Sequence, residues 1–215
     1  MSPTPQPDGY LARPKTGKGP GLLVLHPWWG LNETIKAFCR RLSAEGYLVF
    51  APDLYHGKLA STIQEAEVLS GGLNVEQANK DIADAVDFLS DHADRAGSGL
   101  GVIGFSLGAY FALGLSAEDP GLMRAVVVFY GTGEGDFERS RAAYLGHFAQ
   151  SDPYEPANQV ENLESAIRAA GRPVTFYFYD DTGHWFFEED RSDAYNQAAA
   201  QLAWERTMTF LKAML

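Results

Sequence analysis

Residues 101–108 read Gly-Val-Ile-Gly-Phe-Ser-Leu-Gly and bring an apolar strand, a sharp turn and a helix start together. A Gly-x-Ser-x-Gly turn between a strand and a helix is tight and strained, so the positions two before and two after the serine must lack bulk. Gly104 and Gly108 satisfy that requirement. The turn would raise the hydroxyl of Ser106 above the end of the sheet, beside the free N–H groups of a helix beginning at Leu107. It predicts Ser106 as a nucleophile.

Outside this turn, short apolar runs typical of buried strands alternate with segments of helical periodicity. We predict strands at residues 10–13 (an edge strand), 22–25, 47–51, 100–105, 125–130, 144–149 and 174–179. We predict helices at residues 33–45, 75–90, 107–116, 159–170 and 194–215. This alternation indicates an α/β protein with a mostly parallel central sheet and helices on both faces. In such sheets the ligand site lies beyond the carboxyl ends of the strands.

Composition and charge narrow the classes of function. The 215 residues predict one domain from residue 10 to 215, preceded by a flexible tail over residues 1–9. A formal net charge of -11 argues against binding to nucleic acid or to an anionic membrane surface. The chain has one cysteine, no apolar targeting segment at its start and no run long enough to span a bilayer. We therefore expect a cytoplasmic protein.

A serine hydroxyl needs a histidine to take its proton, and the histidine needs a carboxylate to orient it. In proteins with a nucleophile on this type of turn, the acid comes after the serine in the sequence, and the histidine comes after the acid. His184 satisfies this order, because it lies between the last predicted strand and the last predicted helix. The other four histidines lack this placement; His147 lies inside a predicted strand and His26 precedes the serine. We predict His184 as the general base.

The acid is expected after the next-to-last strand. Asp152 directly follows residues 144–149, and Pro153 would stiffen the turn that presents it. Asp136 and Glu155 are the alternatives. We predict Asp152 as the acid of the triad.

Acyl transfer also needs two donors for the oxyanion that forms on the carbonyl oxygen. The backbone N–H of Leu107, next after the nucleophile, is one candidate. The loop after the first core strand should supply the other. In that loop Pro27 has no N–H, so Trp28 is the candidate.

Aromatic residues are dense in the loops at the expected active face and could line an apolar pocket for an acyl or aryl group. Some of them would instead pack the loops onto the sheet. The candidates for the substrate pocket are Trp29, Tyr55, Tyr130 and Trp185.

From about Tyr10 onward, the chain resembles the dienelactone hydrolase (carboxymethylenebutenolidase) family, a branch of the α/β-hydrolases without a large cap. The resemblance rests on His26-Pro-Trp-Trp-Gly-Leu-Asn32, Ala51-Pro-Asp-Leu-Tyr55, Gly101-Val-Ile-Gly-Phe-Ser-Leu-Gly108, Gly146-His-Phe-Ala-Gln-Ser-Asp152 and Gly183-His184. It implies the triad Ser106, Asp152 and His184, with Trp28 and Leu107 at the oxyanion hole.

The chain departs from the family pattern at the nucleophile and in the histidine loop. The best-known members use cysteine where this chain has Ser106, so it is similar to a serine-type variant. They also carry an arginine four residues after the histidine, which binds the substrate carboxylate. This chain has Glu188 there, so we expect repulsion of a carboxylate substrate. We also expect Glu188→Arg to favour carboxylate-bearing esters.

Together these residues predict a serine hydrolase that cleaves carboxylic esters or lactones through an acyl-enzyme. Acyl transfer to another acceptor or thioester hydrolysis on the same triad is an alternative, and a non-catalytic binding protein is a further one. The predicted chemistry implies no metal and no organic cofactor. The expected partner is a small-molecule ester or lactone, and the expected assembly is a monomer or weak homodimer.

Overall fold

The computed structural model describes residues 4–92 and 94–215, which contain seven strands and six helices. The strands form one mostly parallel sheet in the order β1-β3-β2-β4-β5-β6-β7. Their bounds are β1 Gly9–Ala12, β2 Gly19–Leu25, β3 Leu48–Pro52, β4 Arg95–Phe105, β5 Met123–Phe129, β6 Ala143–Ala149 and β7 Val174–Tyr179. The predicted α/β fold class is confirmed. The first three residues of the predicted flexible tail lie outside the described residues.

The helices are α1 Glu33–Ala44, α2 Ile63–Gly71, α3 Val75–Asp91, α4 Leu107–Leu115, α5 Ala157–Ala169 and α6 Gln197–Met214. The chain has two compact units, residues 1–100 and 101–215. In the first unit, β1 pairs antiparallel with β3 at the edge of the sheet, and β2 pairs parallel with β3. The side chains of Leu22–Leu25 in β2 and of β3 are fully or almost fully buried, as their apolar runs predict.

Helix α1 packs against the protein core through one apolar face. The side chain of Asn32 accepts a hydrogen bond from the N–H of Ile35 and caps the start of the helix. Ile35, Phe38, Cys39 and Leu42 recur at helical spacing, and all four are buried. Burial raises the pKa of the Cys39 thiol far above its ordinary value, so the thiol stays protonated.

In the second unit, β5, β6 and β7 pair in parallel, and the buried core includes the apolar residues of β5 and β6. His147 in β6 is fully buried, with one ring nitrogen 2.8 Å from the hydroxyl of Tyr179 and the other 2.9 Å from that of Thr207. It is a structural residue, as its place inside a strand predicts. These contacts link β6 to Tyr179 in β7 and to Thr207 in α6.

Among the helices of the described residues, none combines the length and the apolar character that crossing a bilayer requires.

Candidate active site

Ser106 lies on a strained turn between β4 and α4. Its backbone has φ 48° and ψ -112°, in a region that residues with a side chain rarely adopt. Its N–H donates to the carbonyl of Phe129, at 2.9 Å, which ties the turn to the end of β5. A Cβ on Gly104 would lie 2.6 Å from the backbone nitrogen of Ala109 and closer still to the carbonyl of Gly108. The turn therefore requires glycine at position 104, as the sequence predicts.

Gly131 also makes room for the serine, and the sequence analysis missed it. A Cβ at this position would lie 2.6 Å from both the carbonyl oxygen of Ser106 and the Cβ of Ala109. The signal was available, because Gly131 directly follows a strand end next to a predicted nucleophile. Glycine at this position lets the end of β5 approach the turn closely.

The structure brings the three predicted triad residues into one chain of contacts. Ser106 Oγ lies 3.0 Å from His184 Nε2, and His184 Nδ1 lies 2.7 Å from Asp152 Oδ2. The side chains of His184 and Asp152 are only 4% and 2% exposed. An ionised carboxylate only accepts hydrogen bonds, so Nδ1 carries the proton and Nε2 is free to accept one from the serine.

The loop after β6 holds Asp152 in place. Its second oxygen, Oδ1, accepts hydrogen bonds from the N–H groups of Tyr154 at 2.9 Å and Glu155 at 3.1 Å. The alternative acid Glu155 instead accepts a hydrogen bond from Thr132, at 2.7 Å, and burial raises the pKa of its carboxyl. The other alternative, Asp136, is exposed and accepts from the N–H of Arg139. Of the three candidates, Asp152 is the one placed at His184.

The two predicted oxyanion donors lie in different units of the chain. Leu107 is the first residue of α4, where helix N–H groups have no partner within the helix. In the other unit, the half-buried Trp28 follows His26, whose Nε2 accepts a hydrogen bond from the N–H of Leu54 at 3.1 Å. The Nδ1 of His26 lies 2.7 Å from the carbonyl of Pro27, so this buried histidine fixes the loop that carries Trp28.

The four predicted pocket aromatics are mostly packed inside the protein. The exposed fractions of Trp29, Tyr55, Tyr130 and Trp185 are 1%, 5%, 0% and 7%. Tyr130 packs on the imidazole of His184, with the ring centroids 5.0 Å apart, and Trp185 packs on the same ring at 5.0 Å. The role of these four residues in binding substrate stays a prediction.

Tyr154 combines exposure with contact to the histidine. It is 43% exposed, and its ring lies 5.0 Å from that of His184 and 5.2 Å from that of Trp185. Tyr154 belongs to the aromatic residues that the sequence places in the loops at the expected active face, but the sequence does not indicate where its ring points. An exposed aromatic surface therefore lies beside the predicted general base.

The expected repulsion of carboxylate substrates by Glu188 is wrong. Its side chain is 1% exposed, and its Oε1 accepts a hydrogen bond from the hydroxyl of Tyr130 at 2.8 Å. Burial raises the pKa of Glu188 to about 8, so the carboxyl is largely neutral at pH 7. The variant Glu188→Arg would place a guanidinium in this buried position, not at a binding surface.

In the part of the chain that the structure describes, no three histidine, cysteine, aspartate or glutamate side chains are grouped so as to hold a metal ion. The groups that the site itself offers for chemistry are the hydroxyl of Ser106, the imidazole of His184 and the carboxylate of Asp152.

A serine on a strand–helix turn, with its acid and base in loops after later strands of a mostly parallel sheet, defines an α/β-hydrolase. The sequence pattern of the dienelactone hydrolase family matches residues 8–215, and the chain belongs to that family. It is a hydrolase that acts on ester or lactone bonds.

Known relatives cover nearly the whole chain. The protein usf of Aquifex pyrophilus is 32% identical over 216 residues, which is 96% of this chain and 93% of that protein. An Escherichia coli K12 protein provisionally named a carboxymethylenebutenolidase is 30% identical, over 94% of this chain and 81% of that protein. The crystal structure of a Klebsiella pneumoniae protein, provisionally named a dienelactone hydrolase, has a TM-score of 0.82 at 27% identity. That match covers 94% of this chain and 91% of the Klebsiella chain.

Proposed function

We propose that this protein hydrolyses carboxylic esters or lactones by a serine mechanism, with Ser106 as nucleophile, His184 as general base and Asp152 as the acid that orients it. The observation that carries the proposal is the unbroken chain of contacts from Ser106 Oγ to His184 Nε2 and from His184 Nδ1 to Asp152 Oδ2, at 3.0 Å and 2.7 Å. Membership in a family of ester and lactone hydrolases supports it.

In the acylation step, Ser106 Oγ forms a bond to the carbonyl carbon while its proton moves to His184 Nε2. The electron pair of the carbonyl bond moves onto the oxygen, where the N–H of Leu107 at the helix start would donate to it. Asp152 stabilises the imidazolium and does not itself take the proton. When the carbonyl forms again, the bond to the leaving oxygen breaks and His184 returns the proton to that oxygen.

Water then releases the acyl group. His184 takes a proton from water, the hydroxide oxygen bonds to the acyl carbon, and the bond to Ser106 Oγ breaks with return of the proton to the serine. With an ester, the alcohol leaves in the first step and the acid in the second. With a lactone, both ends belong to one molecule, so the product is a single hydroxy acid.

The test compares wild type with Ser106→Ala on p-nitrophenyl acetate, p-nitrophenyl butyrate and δ-valerolactone. We expect Ser106→Ala to lower kcat by about 10⁴-fold or more, because subtilisin-type knock-outs of the nucleophile lose rate on that scale. The matched control is Ser98→Ala, since Ser98 is an exposed serine on β4, the strand that leads to Ser106. The control should keep wild-type kcat.

A covalent probe checks the nucleophile without a substrate. A fluorophosphonate should form a bond from Ser106 Oγ to phosphorus with loss of fluoride, and peptide mass spectrometry should place the adduct on residue 106. Activity in Ser106→Ala equal to that of wild type, or an adduct on another residue, would contradict the proposal. Product analysis with added alcohols separates hydrolysis from acyl transfer, because a transferase would make the new ester.

A further inference from the structure

Glu188 and Tyr130 form a buried pair that the proposed mechanism does not use. Tyr130 is fully buried and Glu188 is 1% exposed. The hydroxyl of Tyr130 donates to Oε1 of Glu188 at 2.8 Å. The other carboxyl oxygen, Oε2, is buried and has no hydrogen-bond partner within residues 4–92 and 94–215. A carboxyl group in such a place is costly to ionise, so its position calls for an explanation.

The pair connects the end of β5 to the loop that carries the histidine. The ring of Tyr130 lies against the imidazole of His184, with centroids 5.0 Å apart and planes inclined by 58°. Glu188 lies four residues after His184, and its N–H donates to the carbonyl of Trp185 at 2.9 Å. Tyr130 therefore contacts this loop twice: its hydroxyl donates to Glu188, and its ring packs on the imidazole of His184.

Tyr130 is itself held in a conformation that needs support. Its φ is 35°, in the left-handed region, where a residue with a large side chain is a true exception. Its N–H donates to the carbonyl of His147 at 2.8 Å, and its ring also packs on Phe186. Strained residues of this kind persist where the surroundings fix them, and they cluster at functional sites.

Several charged groups face the pair and set its protonation. Burial raises the pKa of Glu188 to about 8; the hydrogen bond from Tyr130 and the charge of Arg191 act against this rise, and Asp190 adds to it. On the other side, Asp152 lies near Tyr130, and burial together with the nearby carboxylates raises the pKa of the Tyr130 hydroxyl well above its ordinary value. The hydroxyl therefore keeps its proton and stays a donor.

We propose that Glu188 is a positioning residue whose neutral carboxyl, acting through Tyr130, holds the imidazole of His184 in line with Ser106. This inference rests on the proposed function. In the neutral form no charge is buried, and the loop stays closed around the pair. Once the proton leaves, a negative charge is buried beside His184 on a carboxylate whose Oε2 has no hydrogen-bond partner among the described residues, and opening of the loop to water relieves that cost. Loss of this one proton is then expected to lower turnover.

The kinetic test measures kcat and KM from pH 6 to 9 with p-nitrophenyl butyrate. In wild type, kcat should fall about tenfold between pH 7 and 9, because about nine-tenths of a group with a pKa near 8 is ionised at pH 9. Glu188→Gln cannot ionise and keeps the shape of the neutral carboxyl. It should keep wild-type kcat at pH 7 within about threefold and lose the fall above pH 8. KM should stay unchanged in both.

The matched control is Glu189→Gln, because Glu189 is the exposed neighbour on the same loop. It should show the same alkaline fall as wild type. A purely structural role for Glu188 would lower activity equally at every pH and leave the shape of the profile unchanged. An identical alkaline fall in wild type and Glu188→Gln would therefore overturn the proposal.

A second measurement needs no substrate. The pKa of Glu188 is raised from 4.5 when unfolded to about 8 when folded, so the folded state holds the extra proton between these values. Stability from this group is complete below pH 4.5 and is lost as the pH rises to 8. Relative to Glu188→Gln, the unfolding constant of wild type should grow by about tenfold per pH unit across this range and level off above it.

The two measurements separate the two ideas. Parallel stability curves for wild type and Glu188→Gln would show that the carboxyl is not held neutral, and would overturn the inference even if the enzyme is active. Absence of ester and lactone hydrolysis in every variant would overturn the proposed function and the positioning role with it. A difference between the stability curves would in that case still establish the neutral carboxyl.

Discussion

At the scale of single residues, Ser106 occupies a backbone conformation that costs about 1–3 kcal/mol and persists only when its surroundings fix it. Two glycines make this possible. Gly104 lets the turn close on Gly108, and Gly131 lets the end of β5 approach the backbone of the serine. The N–H of Ser106 then bonds to Phe129, directly beside that approach. The position of Ser106, the proposed nucleophile, therefore depends on a residue 25 positions further along the chain.

We predict that Gly131→Ala lowers kcat by about tenfold to a hundredfold, because its Cβ would displace the backbone of Ser106 by a fraction of an ångström or more. Steady-state kinetics with p-nitrophenyl butyrate measures the effect. The control is Gly114→Ala in α4, where a Cβ meets no atom within 4 Å. Alanine there should keep kcat and raise stability by about 0.5–1 kcal/mol. Unchanged turnover in Gly131→Ala would contradict the predicted crowding.

The order of motifs along the chain was enough to select Ser106, Asp152 and His184, which the structure brings together. The environment of Glu188 was not predictable in the same way. A run of three acidic residues is typical of an exposed surface, and only Glu189 and Asp190 follow that rule. Burial of Glu188 depends on the Tyr130 hydroxyl, which lies 58 positions away in sequence. Periodicity carries no information about such a pair.

At the scale of elements, α2 Ile63–Gly71 is the helix that the sequence analysis missed. Ala66 is its one buried residue, so no apolar stripe marks it. A capping box does mark it: the hydroxyl of Thr62 accepts from the N–H of Glu65, and the side chain of Glu65 accepts from the N–H of Thr62. The sequence Thr-x-x-Glu was therefore the available signal.

Because this helix has little buried surface, its cap should matter for stability. Thr62→Ala is expected to lower the free energy of unfolding by about 1 kcal/mol, since it removes the acceptor for one N–H at the helix start. Urea unfolding followed by circular dichroism measures this. Gln64→Ala is the control, because Gln64 is exposed in the same turn and makes no part of the cap. An equal effect of the two substitutions would contradict the role of the cap.

The helices with an apolar stripe were predicted to within a few residues. Helix α1 was expected at residues 33–45 and is Glu33–Ala44, and β7 was expected at residues 174–179 and is Val174–Tyr179. Strand β4 begins at Arg95, earlier than expected. Its first residues are exposed or only partly buried and form no apolar run, so the sequence pattern does not mark them. Periodicity in the sequence cannot locate the end of a helix or strand where burial does not change.

At the scale of the whole molecule, two buried groups in the second unit act on stability in opposite directions. Burial lowers the pKa of His147 from 6.5 to about 3, so the unfolded chain binds a proton that the folded chain does not. Stability therefore falls as the pH falls from 6.5 toward 3. Glu188 has the reverse effect, since its raised pKa makes stability fall as the pH rises from 4.5 to about 8.

Relative to a variant that carries both His147→Gln and Glu188→Gln, the stability of wild type should therefore be level between pH 4.5 and 6.5, where the slopes of the two groups cancel. Urea unfolding at half-unit steps from pH 4 to 9 measures it. His147→Gln should make the acid limb shallower by up to about 1.4 kcal/mol per pH unit and leave the alkaline limb unchanged. An acid limb of the same slope in wild type and His147→Gln would show that another group controls it.

The alternation of strands and helices predicted the parallel sheet, because a parallel pair needs a long crossover between its strands. The order β1-β3-β2-β4-β5-β6-β7 was not predicted. The order of strands in the sheet depends on the direction in which each connection leaves its strand. The apolar runs of β2, β3 and β5 are too similar to indicate which strands are neighbours.

The buried thiol of Cys39 makes this chain convenient for spectroscopy. It is the only cysteine, it has no exposed surface, and its raised pKa keeps it in the unreactive thiol form. Maleimide dyes and thiol-reactive spin labels will therefore not react with the native protein. A cysteine introduced at the exposed Tyr154, beside His184, would be the one site to take a fluorophore. Loop motion next to Ser106 and His184 could then be followed in real time, without first removing a native thiol.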